Sequence, residues 1–256
     1  MKAGLITGAS SGIGKELARI HASKGNNVVL VARRQEELIA LADELTEKYK
    51  IEAIVLANDL TEAYATDALF RQTQSLGIFV NYLFNNAGFG GHGLFVDRNI
   101  YDDQKMIDLN VKALTDLMHL YLPEMKSNNE GRILNTASTA GFIPGPLQAT
   151  YFATKAYVIS LTKATSFELR KTNITVTALC PGPVKTEFEV VAGMGGADMF
   201  AKGASAYDTA QKGYNAMMKG KRTIISDMGF AVLIRVFGPF IPDSLLMRVV
   251  EKIQTI

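Results

Sequence analysis

Short apolar runs and longer amphipathic stretches alternate along the whole chain. Runs rich in Val, Ile and Leu occupy residues 3–7, 27–32, 52–57, 82–85, 132–137 and 174–179, with a shorter one at 222–225. Between them, apolar residues recur at helical spacing over residues 13–24, 35–49, 63–76, 102–126 and 148–171. Near-continuous apolar strands that alternate with helices predict an α/β fold, a parallel sheet covered on both faces. No repeat, low-complexity linker or charge run divides the chain, so one domain is expected over residues 1–256.

Two stretches depart from the alternation. Residues 182–205 carry Gly193, Gly195, Gly196 and Gly203, and read either as a substrate lid or as a disordered connector. Residues 227–256 form an apolar extension containing Phe230, Leu233, Ile234, Phe237, Phe240, Ile241, Leu245, Leu246, Val249 and Val250. That extension is expected to cover a pocket, to pack in a subunit interface or to lie against a membrane, with packing against protein preferred.

Composition narrows the function classes. Hydrophobic residues make up 48% of the 256 and charged residues 20%, enough for a sizeable core and too few charges for global disorder. Lys plus Arg number 27 against 25 Asp plus Glu, without a basic arm, which argues against a nucleic-acid partner. Cys180 is the only cysteine, so no internal disulfide forms, and it reads as a buried small hydrophobe. His21, His92 and His119 lack metal-ligand spacing, and no metal is expected; His21 and His119 fall on helical patterns and read as partly buried structural residues. The first strand begins almost at once, leaving no room for a signal peptide, and the longest apolar run, residues 228–241, is interrupted by Arg235, Gly238 and Pro239. A soluble cytoplasmic protein is the expectation.

Candidate chemistry starts at the first strand. Thr7-Gly8-Ala9-Ser10-Ser11-Gly12-Ile13-Gly14 follows it directly and opens the first helix. Glycines let backbone approach a pyrophosphate, and the helix N-terminus offers N–H groups and a positive dipole end. Gly8, Ser10, Ser11, Gly12, Ile13 and Gly14 are therefore read as a phosphate turn of a dinucleotide site. After the second strand stand Ala32, Arg33 and Arg34, where a carboxylate would select NAD. Two guanidiniums suit a 2′-phosphate instead, so NADP is expected over NAD. Asp59 reads as an acceptor for an adenine amino group and equally as the cap of a helix starting near Thr61, two roles that do not exclude each other. Asn85-Asn86-Ala87-Gly88 ends the fourth strand; its small residues leave room for adenosine, or its asparagines satisfy backbone there. Tyr151 and Lys155 share one helical face, and a nearby positive charge favours the phenolate.

Together the glycine turn, Asp59, the Asn85-Asn86-Ala87-Gly88 run, Asn110, Ser138, Tyr151 with Lys155, and Pro181-Gly182 resemble the short-chain dehydrogenase/reductase family. The resemblance covers residues 7–186 and implies a Rossmann-type doubly wound sheet. It implies Tyr151 as general acid or base, Lys155 holding the nicotinamide ribose and biasing Tyr151 toward ionisation, Ser138 bonding the substrate oxygen, and Asn110 supporting a water-linked proton path. It also lays Pro181, Gly182, Val184 and Thr186 along the nicotinamide. The helical stretches 102–126 and 148–171 resemble those that pair subunits in the family, implying a homodimer or homotetramer. Phe89, Phe142, Phe188, Met194, Met199 and Phe200 are expected as apolar pocket walls, suiting a hydrophobic carbonyl or alcohol substrate. A dinucleotide-binding sensor without turnover, or a membrane-associated interaction protein, is the competing expectation.

Overall fold

The computed structural model describes residues 1–195, 203–227, 229 and 241–255. Within them seven strands form one sheet: β1 Lys2–Thr7, β2 Val28–Ala32, β3 Ala53–Ala57, β4 Phe79–Asn85, β5 Gly131–Thr136, β6 Ile174–Cys180 and β7 Thr223–Ile225. The spatial order is β3-β2-β1-β4-β5-β6-β7, every neighbour parallel. Helices α1 Gly12–Ala22, α2 Gln35–Tyr49, α3 Ala65–Ser75, α4 Ile100–Ile107, α5 Leu114–Asn128, α6 Ala149–Glu168, α7 Phe188–Val191, α8 Ala206–Met218 and α9 Asp243–Gln254 connect and follow the strands. This is the expected Rossmann-type doubly wound architecture.

Side chains alternate along a strand, so the sheet feeds two cores. Leu5, Val29, Val31, Leu83 and Ile133 face α3, α5 and α6, where Leu69, Leu117, Tyr121 and Val158 meet them. Ile6, Val28, Leu30, Phe84 and Leu134 face α1, α2 and α8, against Leu17, Leu38 and Tyr214. Each fully buried leucine contributes about 1.5–3 kcal/mol. Polar groups run through the first core. Asn85 Nδ2 donates to Asn135 Oδ1 at 3.0 Å, and Asn135 Nδ2 donates to Thr162 Oγ1 at 2.9 Å, tying α6 to β4 and β5.

His21 stands in the second core, fully buried between the rings of Tyr82, Phe84 and Tyr214, with Nδ1 3.2 Å from the Tyr214 hydroxyl. Its Nε2 has no partner, and burial pushes its pKa down to about 3. His119 is exposed, contrary to expectation, because α5 turns that position away from the sheet.

Two helices differ from the pattern. The stretch 102–126 is not one helix, since a π-helical turn, Asp108–Ala113, separates α4 from α5. The helix after β3 begins at Ala65, after Tyr64 takes a left-handed φ of 60°. Asp59 therefore does not cap it: Oδ1 accepts from the Thr61 N–H at 3.0 Å and the Thr61 hydroxyl at 2.8 Å, closing a local turn. No helix among the described residues is long and apolar enough to cross a membrane.

Candidate active site

The connections from β1 and β4 leave in opposite directions, which opens a crevice beyond their carboxyl ends. A cavity of about 570 Å³ occupies it, and most of the expected site residues line its wall. Gly14 and Asn110 do not; both stand behind it.

At one end lies the glycine turn. Gly8 has φ +68°, and a Cβ on Gly14 would overlap the Gly8 carbonyl, so α1 seats directly on the turn. Ser11, at the N-cap, makes no side-chain cap bond, and the first turn holds no acidic residue. The leading N–H groups of α1 thus remain available to an anion, which fits a dinucleotide pyrophosphate.

Arg33 and Arg34 both reach this wall. Arg33 is mostly exposed, with Nη1 3.8 Å from Asp59. Arg34 is engaged on two sides: it donates to Ser10 Oγ at 3.3 Å and pairs with Glu187 at 2.9 Å. The hydrogen bond from Arg34 holds the Glu187 carboxyl below its ordinary value. Burial raises the Asp59 carboxyl, but the Thr61 bonds and Arg33 outweigh it and leave it lowered.

At the end of β4 the asparagine satisfies backbone, as one of the two expected readings has it. Thr7 Oγ1 accepts from the N–H groups of Asn86 and Ala87 at 2.9 and 3.0 Å, and Asn86 Nδ2 donates to the Thr7 carbonyl at 3.2 Å. Thr136 donates to Asn86 Oδ1 at 3.2 Å, so Asn86 staples three strand ends while Ala87 and Gly88 leave the wall low. A Cβ on Gly88 would stand 2.8 Å from Asn110 Oδ1 and 3.4 Å from Lys155 Nζ. Asn110 sits in the π-helical turn, where Oδ1 accepts from Phe89 N–H at 3.1 Å and Nδ2 donates to the Phe89 carbonyl at 2.9 Å and to Thr154 Oγ1 at 3.2 Å.

Tyr151 and Lys155 lie one turn apart on α6, both buried. Lys155 Nζ donates to the Thr136 carbonyl at 2.9 Å and stands 5.7 Å from the Tyr151 ring centroid. Ser138 follows β5, its Oγ accepting from the Ala140 N–H at 3.1 Å and donating to the Pro181 carbonyl at 3.4 Å, close enough to the Tyr151 hydroxyl to influence its ionisation. Burial raises Tyr151 to about 12 against the lowering influence of Ser138. Burial also lowers Lys155 to about 8, with Cys180 acting the other way. Desolvation sets the direction at both groups.

Pro181 accepts from the Thr139 N–H at 2.8 Å, Val184 bridges to Ala204, and Thr186 Oγ1 accepts from the Phe188 N–H at 3.2 Å. Pro181, Gly182, Val184 and Thr186 all reach the cavity.

The other end is apolar. Phe89, Phe188 and Met194 line it as expected. Phe142 does not, because it packs on the first core with Lys163 Nζ 5.5 Å from its ring. Met199 and Phe200 lie outside the described residues, as do Phe230, Leu233, Ile234, Phe237 and Phe240. Sequence reasoning missed Ile143, Gln148 and Phe152, and it left open the role of α9. That helix places Leu246, Val250, Ile253 and Gln254 on the cavity wall, and Val250 joins Tyr151, Phe152 and Met106 in one cluster. The 246-250-254 spacing is the signal that marks its inward stripe. Among the described residues no group of His, Cys, Asp and Glu could hold a metal ion.

A family model described as short chain dehydrogenase matches residues 2–195. The chain is 37% identical over 186 residues to the 3-oxoacyl-(acyl-carrier-protein) reductase FabG of Rickettsia prowazekii, covering 73% of this chain and 74% of that protein. Its fold is similar to a short-chain dehydrogenase from Sphingobium yanoikuyae in complex with NADPH, with TM-score 0.84 and 30% identity over 91% of this chain and 90% of the other. It is likewise similar to a short-chain dehydrogenase/reductase from Burkholderia phymatum in complex with NAD, with TM-score 0.84 and 26% identity over 93% of each chain.

Proposed function

The chain belongs to the short-chain dehydrogenase/reductase family, and from that premise we propose an NADP(H)-dependent oxidoreductase that acts on a hydrophobic carbonyl or alcohol. One observation carries this reading: buried Tyr151, Lys155 and Ser138 meet where the glycine-turn end of the cavity joins its apolar end. A nicotinamide dinucleotide bound there supplies or accepts the hydride. The turn from Gly8 to Gly14 and the N-terminus of α1 hold its pyrophosphate, and Asn86, Ala87, Gly88 and Asp59 border the adenosine half. Pro181, Gly182, Val184 and Thr186 border the nicotinamide half.

In this reading Tyr151 Oη would give its proton to the substrate oxygen, and Ser138 Oγ would steady the charge developing there. A phenol raised to about 12 is fully protonated at neutral pH, which suits the acid role in carbonyl reduction. Lys155, lowered to about 8, still carries its proton at pH 7 and donates to the nicotinamide ribose. Asn110, fixed on the Phe89 backbone behind Gly88, supports a water-linked path to Lys155. A sensor without turnover has no need of a tyrosine so placed.

NADP preference rests on Arg33 and Arg34 at the ribose end, with no carboxylate at those two positions. Residues 1–256 are read as one catalytic domain with α9 as part of the pocket cover. A homodimer or homotetramer paired through α5 and α6 belongs to the same reading, and sedimentation tests it.

The direct test is a panel of apolar ketones and aldehydes with NADPH or NADH, followed by absorbance. Turnover with NADPH supports the reading; NADPH binding with no turnover of any compound favours the sensor. Arg33→Asp should weaken NADPH and relatively improve NADH, and an unchanged ratio removes Arg33 from the 2′-phosphate.

A further inference from the structure

The apolar end of the cavity contains a polar wall that a simple cover does not need. Gln148 and Gln254 are 3% and 5% exposed, and Gln148 Nε2 donates to Gln254 Oε1 at 2.7 Å across 106 residues of sequence. The same Nε2 lies against the Met194 sulfur. One loop braces both residues. His92 Nε2 donates to the Gln254 carbonyl at 2.8 Å, and the Gly93 N–H donates to the carbonyl of Leu147 at 2.8 Å, immediately before Gln148. Leu147 has φ 64°, a left-handed conformation that leucine rarely adopts, so its surroundings hold Gln148 where the chain alone would not. Arg98 donates to the His92 carbonyl at 3.0 Å and pairs at 2.6 Å with Asp103, whose other oxygen accepts from Thr150 at 2.7 Å. The loop, the start of α6 and the end of α9 are clamped to one another.

A primary amide offers one acceptor oxygen and two N–H donors. The Gln148–Gln254 bond uses one donor of Gln148 and the oxygen of Gln254. No hydrogen bond among the described residues occupies Gln254 Nε2 or Gln148 Oε1. Both residues line the cavity amid Phe152, Met194, Leu246 and Val250. Among the described residues its charged lining consists of Arg33, Arg34, Asp59, Lys155 and Glu187, all belonging to the nucleotide end or to the Tyr151 centre. A charged substrate group at the amide pair would therefore be buried without a counter-ion.

We propose that Gln148 and Gln254 form a substrate subsite for a second, uncharged oxygen, a hydroxyl or a ketone, carried apart from the reacting carbonyl. The inference rests on the carbonyl-reduction reading above. Gln148 is the N-cap residue of α6 and Tyr151 stands in its first turn, so the amide pair and the Tyr151 hydroxyl are separate points on one cavity wall. The two substrate oxygens are accordingly separated by several carbons, and the preferred substrate is bifunctional, not a plain hydrocarbon ketone. Gln254 Nε2 donates to the second oxygen, and a hydroxyl there donates in turn to Gln148 Oε1.

The test uses full-length protein and NADPH with 2-alkanones from pentanone to decanone, each with and without a terminal hydroxyl. At one chain length the hydroxylated ketone should exceed its parent by about ten-fold or more in kcat/KM, expressed mainly in KM, with the advantage fading at shorter and longer lengths. Gln254→Leu should bring that ratio to within about two-fold of unity. The wild-type comparison requires no variant to fold, and NADPH fluorescence titration verifies the variant. Equal turnover of both series at every length overturns the subsite and leaves carbonyl reduction standing. A hydroxyl preference that survives both Gln254→Leu and Gln148→Leu overturns the assignment to these residues. NADPH binding without turnover of either series overturns the carbonyl-reduction reading and the subsite with it.

Discussion

The two ends of the cavity are built in opposite ways. The glycine-turn part of the nucleotide end is made of backbone, with the Arg33, Arg34 and Asp59 side chains only at its margin: a turn with Gly14 seated against Gly8, an uncapped helix start, and the Asn86 and Ala87 N–H groups held by Thr7. The substrate end is made of side chains from distant segments, with α6, α7 and α9 each supplying part of the wall. Backbone can recognise only what every dinucleotide shares. Side chains gathered from separate helices change one at a time, so one fold can hold a common cofactor and a private substrate.

Each end can be disturbed by itself. At their junction, Tyr151→Phe should lower turnover by about 10²–10⁴-fold with little change in NADPH affinity. Stopped-flow turnover with a parallel fluorescence titration reads the two, and unchanged turnover would remove Tyr151 from proton transfer. Gly88→Val strikes the nucleotide side, since its Cβ would meet Asn110 Oδ1 at 2.8 Å and Lys155 Nζ at 3.4 Å. A loss of about 1–3 kcal/mol in urea unfolding, together with weakened NADPH binding, is expected. Wild-type stability and affinity in that variant would mean that the close approach is not needed.

The core beneath the nucleotide end supplies a pH test. His21 is neutral in the fold down to about pH 3, whereas the unfolded chain protonates it near 6.5. Stability is unaffected by this group above about pH 6.5 and falls as pH drops below that value, by about 2 kcal/mol at pH 5. Urea titrations of wild type and His21→Asn at both pH values isolate it; equal slopes in the two proteins would refute the assignment. The smallest effect concerns Arg34. Glu187→Gln should free it for a 2′-phosphate and tighten NADPH by about two- to five-fold, leaving NADH nearly unchanged, because exposed pairs contribute only about 0–1 kcal/mol. Parallel tightening of both cofactors would mean that Glu187 acts on something other than the 2′-phosphate.

What the sequence disclosed follows the same division. The glycine turn and the Tyr151–Lys155 spacing are local, and local patterns survive folding. The strand runs were legible because a sheet covered on both faces demands near-continuous apolar residues. Gln148 and Gln254 were not legible as a pair, since nothing in a sequence joins residues 106 apart. The burial of Tyr151 was not legible for a related reason: spacing reveals the neighbouring cation, but not how deeply the phenol is packed. Phe142 and Phe152 look alike on paper, and only packing sends one to the core surface and the other to the cavity.

The π-helical turn at Asp108–Ala113 has a consequence for how the chain tolerates change in length. A π turn holds one residue more than the α turn it replaces, and each residue advances an α-helix by about 100°. Deleting a single residue there would let α4 and α5 merge into one regular rod with its backbone ladder intact, but at the expense of the Asn110 side-chain bonds. The Asn110 amide would swing away from Phe89, and everything after it would rotate relative to the sheet. The irregularity acts as a phase-setting insertion: the residue count of the segment sets where Asn110 and all of α5 face.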